Sequence, residues 1–300
     1  MNLNEKLSGV FTAIVTPFNK EGEIDWPAYD SLVERQINAG VSGLVPVGTT
    51  GESATMCEQE KDAVIKRTVE IAAGRVFVLA GTGSNNTAHA VDAARRAENL
   101  GADGCLVVAP YYNRPTQGGL RAHFSTVADA IKIPVILYNV PGRCGVEIAP
   151  ETTAWLSENH QNIVGIKEAG GKPEVVTQLR ALCGHDFVIH SGDDGLTLAF
   201  LALGANGVTS VVSNYAPKIM VDLIKAWNDG NSSRALKLHD KLYPLAGAMF
   251  SEASPSPVKA ALSDLGLIFE SVRLPLVPLS DMGRENMELV LKSFQEENVA

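Results

Sequence analysis

Short apolar runs alternate with longer stretches in which apolar residues recur every three or four positions, over most of the chain. The short runs, residues 10–18, 43–48, 76–81, 104–110, 134–140, 163–169, 187–192 and 207–213, are rich in β-branched residues and too brief for helices, which predicts buried strands. The amphipathic stretches 27–39, 58–73, 87–100, 118–131, 150–158, 173–182, 195–203 and 217–229 predict helices. Pro27 behind Asp25-Trp26, and Pro150, stand where a first helical turn accepts proline. Eight β-α repeats in about 230 residues match an α/β protein of the (β/α)8 TIM-barrel type, which takes about 250. A doubly wound sheet is the competitor, but its Gly-rich dinucleotide turn has only one candidate, Gly81-Thr82-Gly83-Ser84-Asn85-Asn86, and this lacks the third glycine. After Asp229 the alternation stops. Helical patterns at 232–250, 256–265 and 281–294, separated by Pro255/Pro257 and Pro275/Pro278, cannot add a barrel strand. The expectation is a catalytic barrel over residues 1–229 and a small C-terminal helical subdomain over 230–300.

Composition narrows the function classes. The 300 residues are 45% hydrophobic, enough for a large core, and carry a net charge of −9. Lys and Arg are scattered, so no basic patch points to nucleic acid or an acidic membrane. No apolar run approaches the length of a membrane span, and Met1-Asn2-Leu3-Asn4-Glu5-Lys6 has no leader pattern. Cys57, Cys105, Cys144 and Cys183 lie far apart, which fits reduced thiols in a cytoplasm better than a disulfide framework or a zinc site. Asp193-Asp194 near His185 and His190 is the one arrangement that suggests a metal. With no third close ligand it reads as a polar loop and helix cap, and no metal is expected.

One residue departs from the pattern. Lys167 interrupts the apolar run Ile163-Val164-Gly165-Ile166-Lys167-Glu168-Ala169. An ammonium in a buried strand loses hydration, its pKa falls, and the neutral amine becomes a nucleophile for ketones. The strand period puts Gly165 and Ala169 on the same face, leaving room for a substrate. The plainer alternative is a strand-end lysine that snorkels to solvent or pairs with a carboxylate. Other strand ends, where a barrel gathers its catalytic groups, bear on the choice. Gly48-Thr49-Thr50-Gly51-Glu52 could turn tightly on its two glycines and aim N–H groups and hydroxyls at a carboxylate, or be only a turn. Tyr138, on the strand next to Lys167, could shuttle protons or be a core aromatic. Arg143 could pair with a carboxylate or be a solvated loop cation.

The stretches Gly48-Thr49-Thr50-Gly51-Glu52, Pro110-Tyr111-Tyr112-Asn113-Arg114-Pro115, Tyr138-Asn139-Val140-Pro141-Gly142-Arg143, Gly165-Ile166-Lys167-Glu168, Ser191-Gly192-Asp193-Asp194 and Arg273-Leu274-Pro275-Leu276 together carry a resemblance. They resemble the pyruvate-dependent class I aldolase and lyase superfamily and, within it, the dihydrodipicolinate synthase family, over residues 10–294. The resemblance implies condensation of pyruvate with L-aspartate 4-semialdehyde, the first committed step of diaminopimelate and lysine biosynthesis. It implies that Lys167 forms an imine with pyruvate, whose carboxylate rests on the Thr49–Thr50 turn beside Gly48. Tyr138 would donate and accept protons through Thr49 and Tyr112, with Tyr112 serving the adjacent subunit's site. Arg143 would steer the semialdehyde carboxylate, and the Thr209 carbonyl would line the pyruvate pocket. No cofactor is implied, because the imine is itself the electron sink; the assembly implied is a homotetramer, a dimer of dimers. Thr49 as first hydroxyl of the turn matches the synthase, whereas sialic acid lyases usually carry serine there, which leaves N-acetylneuraminate lyase or a 2-keto-3-deoxy sugar-acid aldolase as the second reading.

Members that respond to lysine bind it at a dimer interface, at positions equivalent to Ser53, Ala54, Glu58, Lys61, Asn85, His89 and Tyr111. Lys61 stands where sensitive enzymes usually carry histidine or glutamate, and His89 where glutamate often meets the ligand's amine. A cation facing a cationic ligand opposes binding, so weak or absent lysine inhibition is expected. Two further classes remain: a barrel recruited as a binding protein, which the joint Lys167, Tyr138 and Thr49–Thr50 set disfavours, and a metal-assisted hydrolase, which the scattered histidines disfavour.

Overall fold

The computed structural model describes residues 2–296; Met1 and the last four residues of the expected C-terminal subdomain fall outside that range. Eight parallel strands, β1 (Gly9–Ala13), β2 (Gly43–Val45), β3 (Phe77–Gly81), β4 (Gly104–Val108), β5 (Val135–Asn139), β6 (Ile163–Glu168), β7 (Val188–Ser191) and β8 (Gly207–Ser210), pair in sequence order. The sheet closes where Gly9, Val10, Phe11 and Thr12 of β1 pair with Gly207, Val208, Thr209 and Ser210 of β8. Helices from Trp26–Ala39 round to Pro217–Asn228 run between and after the strands and cover the outside. Because the strands face side chains within the barrel and helices without, nearly every strand residue is buried, which explains their continuous apolar runs. Inside, Phe11 packs against Phe77 and the His190 ring, with centroids 5.9 and 5.0 Å away. The barrel is therefore a filled core, open to chemistry only at its C-terminal mouth.

Several strands end earlier than the hydrophobic pattern predicts. The run 10–18 pairs only as far as Ala13, and the run 207–213 only as far as Ser210. Ile14, Val15, Phe18, Val211 and Val212 are just as buried, but they lie in the loops that roof the barrel. Hydrophobicity reports burial, and these segments are buried outside the barrel's pairing: Phe18 forms an isolated antiparallel bridge with Ile24, and Val212 opens the 3-10 turn Val212–Asn214. The helix expected from residue 195 begins with a 3-10 turn, Asp194–Leu196, before Thr197–Ala202. Two short helices, Leu3–Lys6 and Pro141–Cys144, lie outside the expected set.

Beyond the barrel come Ser232–Met249, Ser256–Asp264 and Asp281–Glu296. The first packs against Pro217–Asn228 and against the last. Pro217–Asn228 buries Met220, Leu223 and Ile224, each contributing about 1.5–3 kcal/mol by its removal from water. Among the described residues no helix is long and apolar enough to cross a membrane.

Candidate active site

Lys167 lies in β6, in register with Tyr138 of β5 on one side and His190 of β7 on the other. Its residue is 6% exposed and its Nζ stands 4.3 Å from the centroid of the Tyr138 ring. Burial pushes the amine's pKa down to about 8; Asp194 pulls it back up and Arg143 pushes it further down. The Tyr138 phenol is pushed up to about 12 by burial, against the pull of Arg143 and of a hydrogen bond with the Thr49 side chain, with Cys144 and Glu168 opposing that pull. A tyrosine so shifted is a held proton: it donates readily only when charge develops beside it and regains its proton at once.

Asp193 and Asp194, read from sequence together as a polar loop and helix cap, divide the roles: the Asp193 carboxylate caps the turn Asp194–Leu196, accepting the Gly195 N–H at 2.9 Å, whereas Asp194 is buried. One Asp194 carboxylate oxygen accepts the Ser210 hydroxyl at 2.5 Å; the other accepts the Val211 and Val212 N–H groups at 2.9 and 3.3 Å. It fixes the turn after β8, and its negative charge raises the Lys167 pKa. His190 has a defined tautomer. Its Nε2 lies 2.6 Å from the Leu7 carbonyl, which can only accept, so Nε2 carries the proton. Nδ1 then accepts from the Thr209 hydroxyl at 3.0 Å, and burial lowers the imidazole pKa to about 4. The His190 ring, in register beside Lys167, is thus neutral and hydrogen-bonded through both nitrogens. No signal in the sequence marked either role, since both depend on residues far along the chain. Among the described residues no group of three or more His, Cys, Asp or Glu side chains is placed to hold a metal.

The expected room beside the amine comes from another residue. A Cβ on Gly165 would meet the Val188 carbonyl at 2.6 Å and the Ile136 side chain at 2.9 Å, so neighbouring strands already fill that space. Gly192 instead lies against the lysine stem: a Cβ there would come within 2.6 Å of the Ala169 Cβ and 3.0 Å of the Lys167 Cε.

The Thr49–Thr50 turn also differs from expectation in how it is made. Neither glycine supplies the left-handed conformation; Val47 (φ 57°) and Glu52 (φ 56°) do. Such values cost a β-branched or bulky residue about 1–3 kcal/mol, so surrounding structure must hold them. Gly51 is needed for room, because a Cβ would meet Ile14 O, Thr16 Oγ1 and Val47 N, all at 3.3 Å. The Thr16 hydroxyl donates to Gly51 O at 2.8 Å. Thr50 is buried and Thr49 exposed at the mouth. Arg143 is exposed on the short helix Pro141–Cys144, close enough to lower both the lysine and tyrosine pKa values.

Tyr112 is the outlier. It is 90% exposed, with φ 73°. The loop carrying it is tied down by the Asn113 amide, which donates to the Asn85 carbonyl at 2.8 Å. Of the positions considered for lysine, Glu58 is paired with Lys61 at 2.9 Å and with Arg96, which rides on the same helix as His89. Ser53 and Ala54 belong to the turn before Glu58, while Asn85, His89 and Tyr111 lie on the rim of the next two strands.

A closed eight-stranded barrel with a desolvated lysine at its C-terminal mouth, beside a tyrosine on the adjacent strand, has the architecture of a class I lyase. The family follows from comparison with known proteins. The chain belongs to the dihydrodipicolinate synthetase family, whose model matches residues 6–294. A 4-hydroxy-tetrahydrodipicolinate synthase from Syntrophus aciditrophicus (strain SB) is 50% identical over 286 residues, 95% of this chain and 98% of that protein. The solved synthase of Methylacidiphilum fumariolicum SolV superposes with a TM-score of 0.95 at 46% identity, covering 96% of each chain. A dihydrodipicolinate synthase variant described as monomeric superposes equally well, at 0.95 and 43% identity, covering 97% of this chain and 98% of the variant.

Proposed function

We infer that the chain is a lyase that condenses pyruvate with L-aspartate 4-semialdehyde to 4-hydroxy-tetrahydrodipicolinate, in diaminopimelate and lysine biosynthesis. Its relatives favour this over the sugar-acid lyase and aldolase reading. The observation that carries the mechanism is the Lys167 amine, buried, held over Tyr138, and shifted to about 8.

A neutral Lys167 attacks C2 of pyruvate; the Tyr138 phenol gives a proton to the departing hydroxyl, and water leaves as the imine forms. The pyruvate carboxylate rests on the N–H groups and hydroxyls of Gly48, Thr49 and Thr50, and the Thr209 carbonyl lines the other side. Tyr138, left as phenolate, takes a C3 proton to give an enamine; its C3 attacks the aldehyde carbon of the semialdehyde, and the aldehyde oxygen takes that proton to become a hydroxyl. The semialdehyde's amino group then attacks C2, closes the ring and displaces Lys167. Thr49, hydrogen-bonded to Tyr138, relays protons outward, and Arg143 at the mouth pairs with the semialdehyde carboxylate. No cofactor enters, because the protonated imine takes up the electron pair that C3 releases.

The working unit we propose is a dimer within a homotetramer. Tyr112, an exposed tyrosine on a tethered loop, would complete the relay of a neighbouring copy. Sedimentation of fully active monomers would overturn this. We place the enzyme in the cytoplasm, where free thiols such as its Cys57, Cys105, Cys144 and Cys183 persist.

The decisive experiment is intact mass after borohydride reduction with pyruvate, repeated with N-acetylneuraminate and 2-keto-3-deoxygluconate. The expected result is a pyruvate-sized adduct at Lys167, with turnover of aspartate semialdehyde and not of the sugar acids. No adduct would make the lysine structural and leave a binding protein.

A further inference from the structure

The turn that would receive the pyruvate carboxylate ends on Glu52, and Glu52 is the one acidic side chain that points from it into the protein interior. Its side chain is fully buried, and one oxygen forms an ion pair with Lys259, itself fully buried on the helix Ser256–Asp264. Its other oxygen accepts the Arg273 backbone N–H at 3.0 Å. Lys259 Nζ also donates to the Ser271 carbonyl at 2.9 Å and lies 4.2 Å from the centroid of Phe18. The Arg273 guanidinium stands the same 4.2 Å from that ring. It donates to both oxygens of Glu60 at 2.9 and 2.5 Å, to Gly22 O at 2.9 and 2.8 Å, and to Thr55 O at 3.2 Å. Residues 52–60 are thus gripped at both ends by a segment that follows the barrel by some thirty residues or more.

A buried ion pair seldom stabilises more than apolar residues of the same shape would, but it fixes geometry, because each charge tolerates only one position. That property matches what the turn needs, since Glu52 must be held in a left-handed conformation its side chain disfavours. We propose that the Glu52–Lys259 pair, locked by Arg273, is a positioning device for the Thr49–Thr50 turn, so that Lys259, outside the barrel, sets the affinity for pyruvate. This rests on the reading that the turn binds the pyruvate carboxylate.

The test is borohydride trapping at Lys167 against pyruvate concentration, with steady-state kinetics, in Lys259→Met. The pyruvate concentration for half-trapping, and the pyruvate KM, should rise about 10- to 100-fold, as for a small displacement of a binding group. The KM for aspartate semialdehyde and kcat at saturating pyruvate should change far less. Should Lys259→Met not fold, Glu52→Gln/Lys259→Met removes both charges, keeps an acceptor for the Arg273 N–H, and carries the same expectation. A folded variant with lowered Tm but unchanged half-trapping would overturn the proposal, leaving the pair merely structural. Absence of any wild-type adduct would instead sink the Lys167 reading, and the positioning role with it.

Discussion

Two buried lysines in this molecule look alike by most measures and differ in what holds them. Lys167 and Lys259 are both shut off from solvent, both sit over an aromatic ring at 4.3 and 4.2 Å, and burial lowers the pKa of both to about 8. They part in their partners. Lys259 is committed to the Glu52 carboxylate and the Ser271 carbonyl. Among the described residues no carboxylate lies within ion-pair distance of Lys167; Asp194, whose charge raises the lysine's pKa, spends both oxygens on Ser210, Val211 and Val212. Burial with a shifted pKa therefore does not by itself mark a nucleophile. A desolvated amine becomes reactive when nothing already holds its lone pair's proton in place.

The largest effect should come from separating the two chemically. Lys167→Ala should remove the pyruvate adduct and lower turnover to about one millionth, the scale seen when a covalent nucleophile is lost. Peptide mapping of the reduced wild type should find no label on Lys259; label there, or activity surviving in Lys167→Ala, would collapse the distinction. Tyr138→Phe keeps the ring beneath the amine and deletes only the proton. Adduct at saturating pyruvate should persist, while kcat falls about 10²- to 10⁴-fold, the usual weight of a positioned acid–base group. An unchanged kcat would remove Tyr138 from the relay.

The contrast also marks what could be read in the chain and what could not. Lys167 was visible because it interrupts a six-residue apolar strand, and Tyr138 because it lies on the strand before it. The barrel was visible because its strands, buried on both faces, are continuous apolar runs. Lys259 was invisible: it sits in a polar-looking helix start, Ser256-Pro257-Val258-Lys259, and its partner is more than two hundred residues earlier. The left-handed Val47 and Glu52 were hidden for the same reason. Local preference assigns such conformations to Gly48 and Gly51, and only tertiary contacts can override it. Sequence periodicity fixes what is local and buried; pairings across the chain, like those of Asp194 and His190, appear only in three dimensions.

A smaller effect separates the lysines by pH. Imine formation needs the neutral amine, so trapping at low pyruvate should rise about tenfold per pH unit below the Lys167 value of about 8, then level off. Lys259→Met should leave that inflection in place, because its amine takes no part. Stability follows a different rule. Both lysines bind protons less readily folded than unfolded, so between about 8 and their ordinary value of 10.5 the unfolded chain holds more protons and stability rises with pH. Denaturant titrations at the two ends of that window should show the rise, and each lysine's replacement should remove part of it. An inflection near the ordinary lysine value in the trapping profile would mean that Lys167 is not desolvated in solution.

The smallest expected effect is on feedback by free lysine, and it turns on charges already spoken for, as at Lys259. A lysine ligand needs an acceptor for its ammonium. Glu58 is the carboxylate among the candidate positions, and Lys61 and Arg96 already occupy it, holding its pKa below the ordinary value. His89, on the helix Thr87–Asn99 that also carries Arg96, offers no negative charge. Lysine at millimolar concentration should therefore change the steady-state rate little. His89→Glu should sharpen the contrast by supplying the missing acceptor, with inhibition strengthened about tenfold, the weight of one charge-assisted contact. Submillimolar inhibition of the wild type would show that the Lys61–Glu58–Arg96 cluster opens to admit the ligand, and that a paired carboxylate here, unlike Glu52, is not committed.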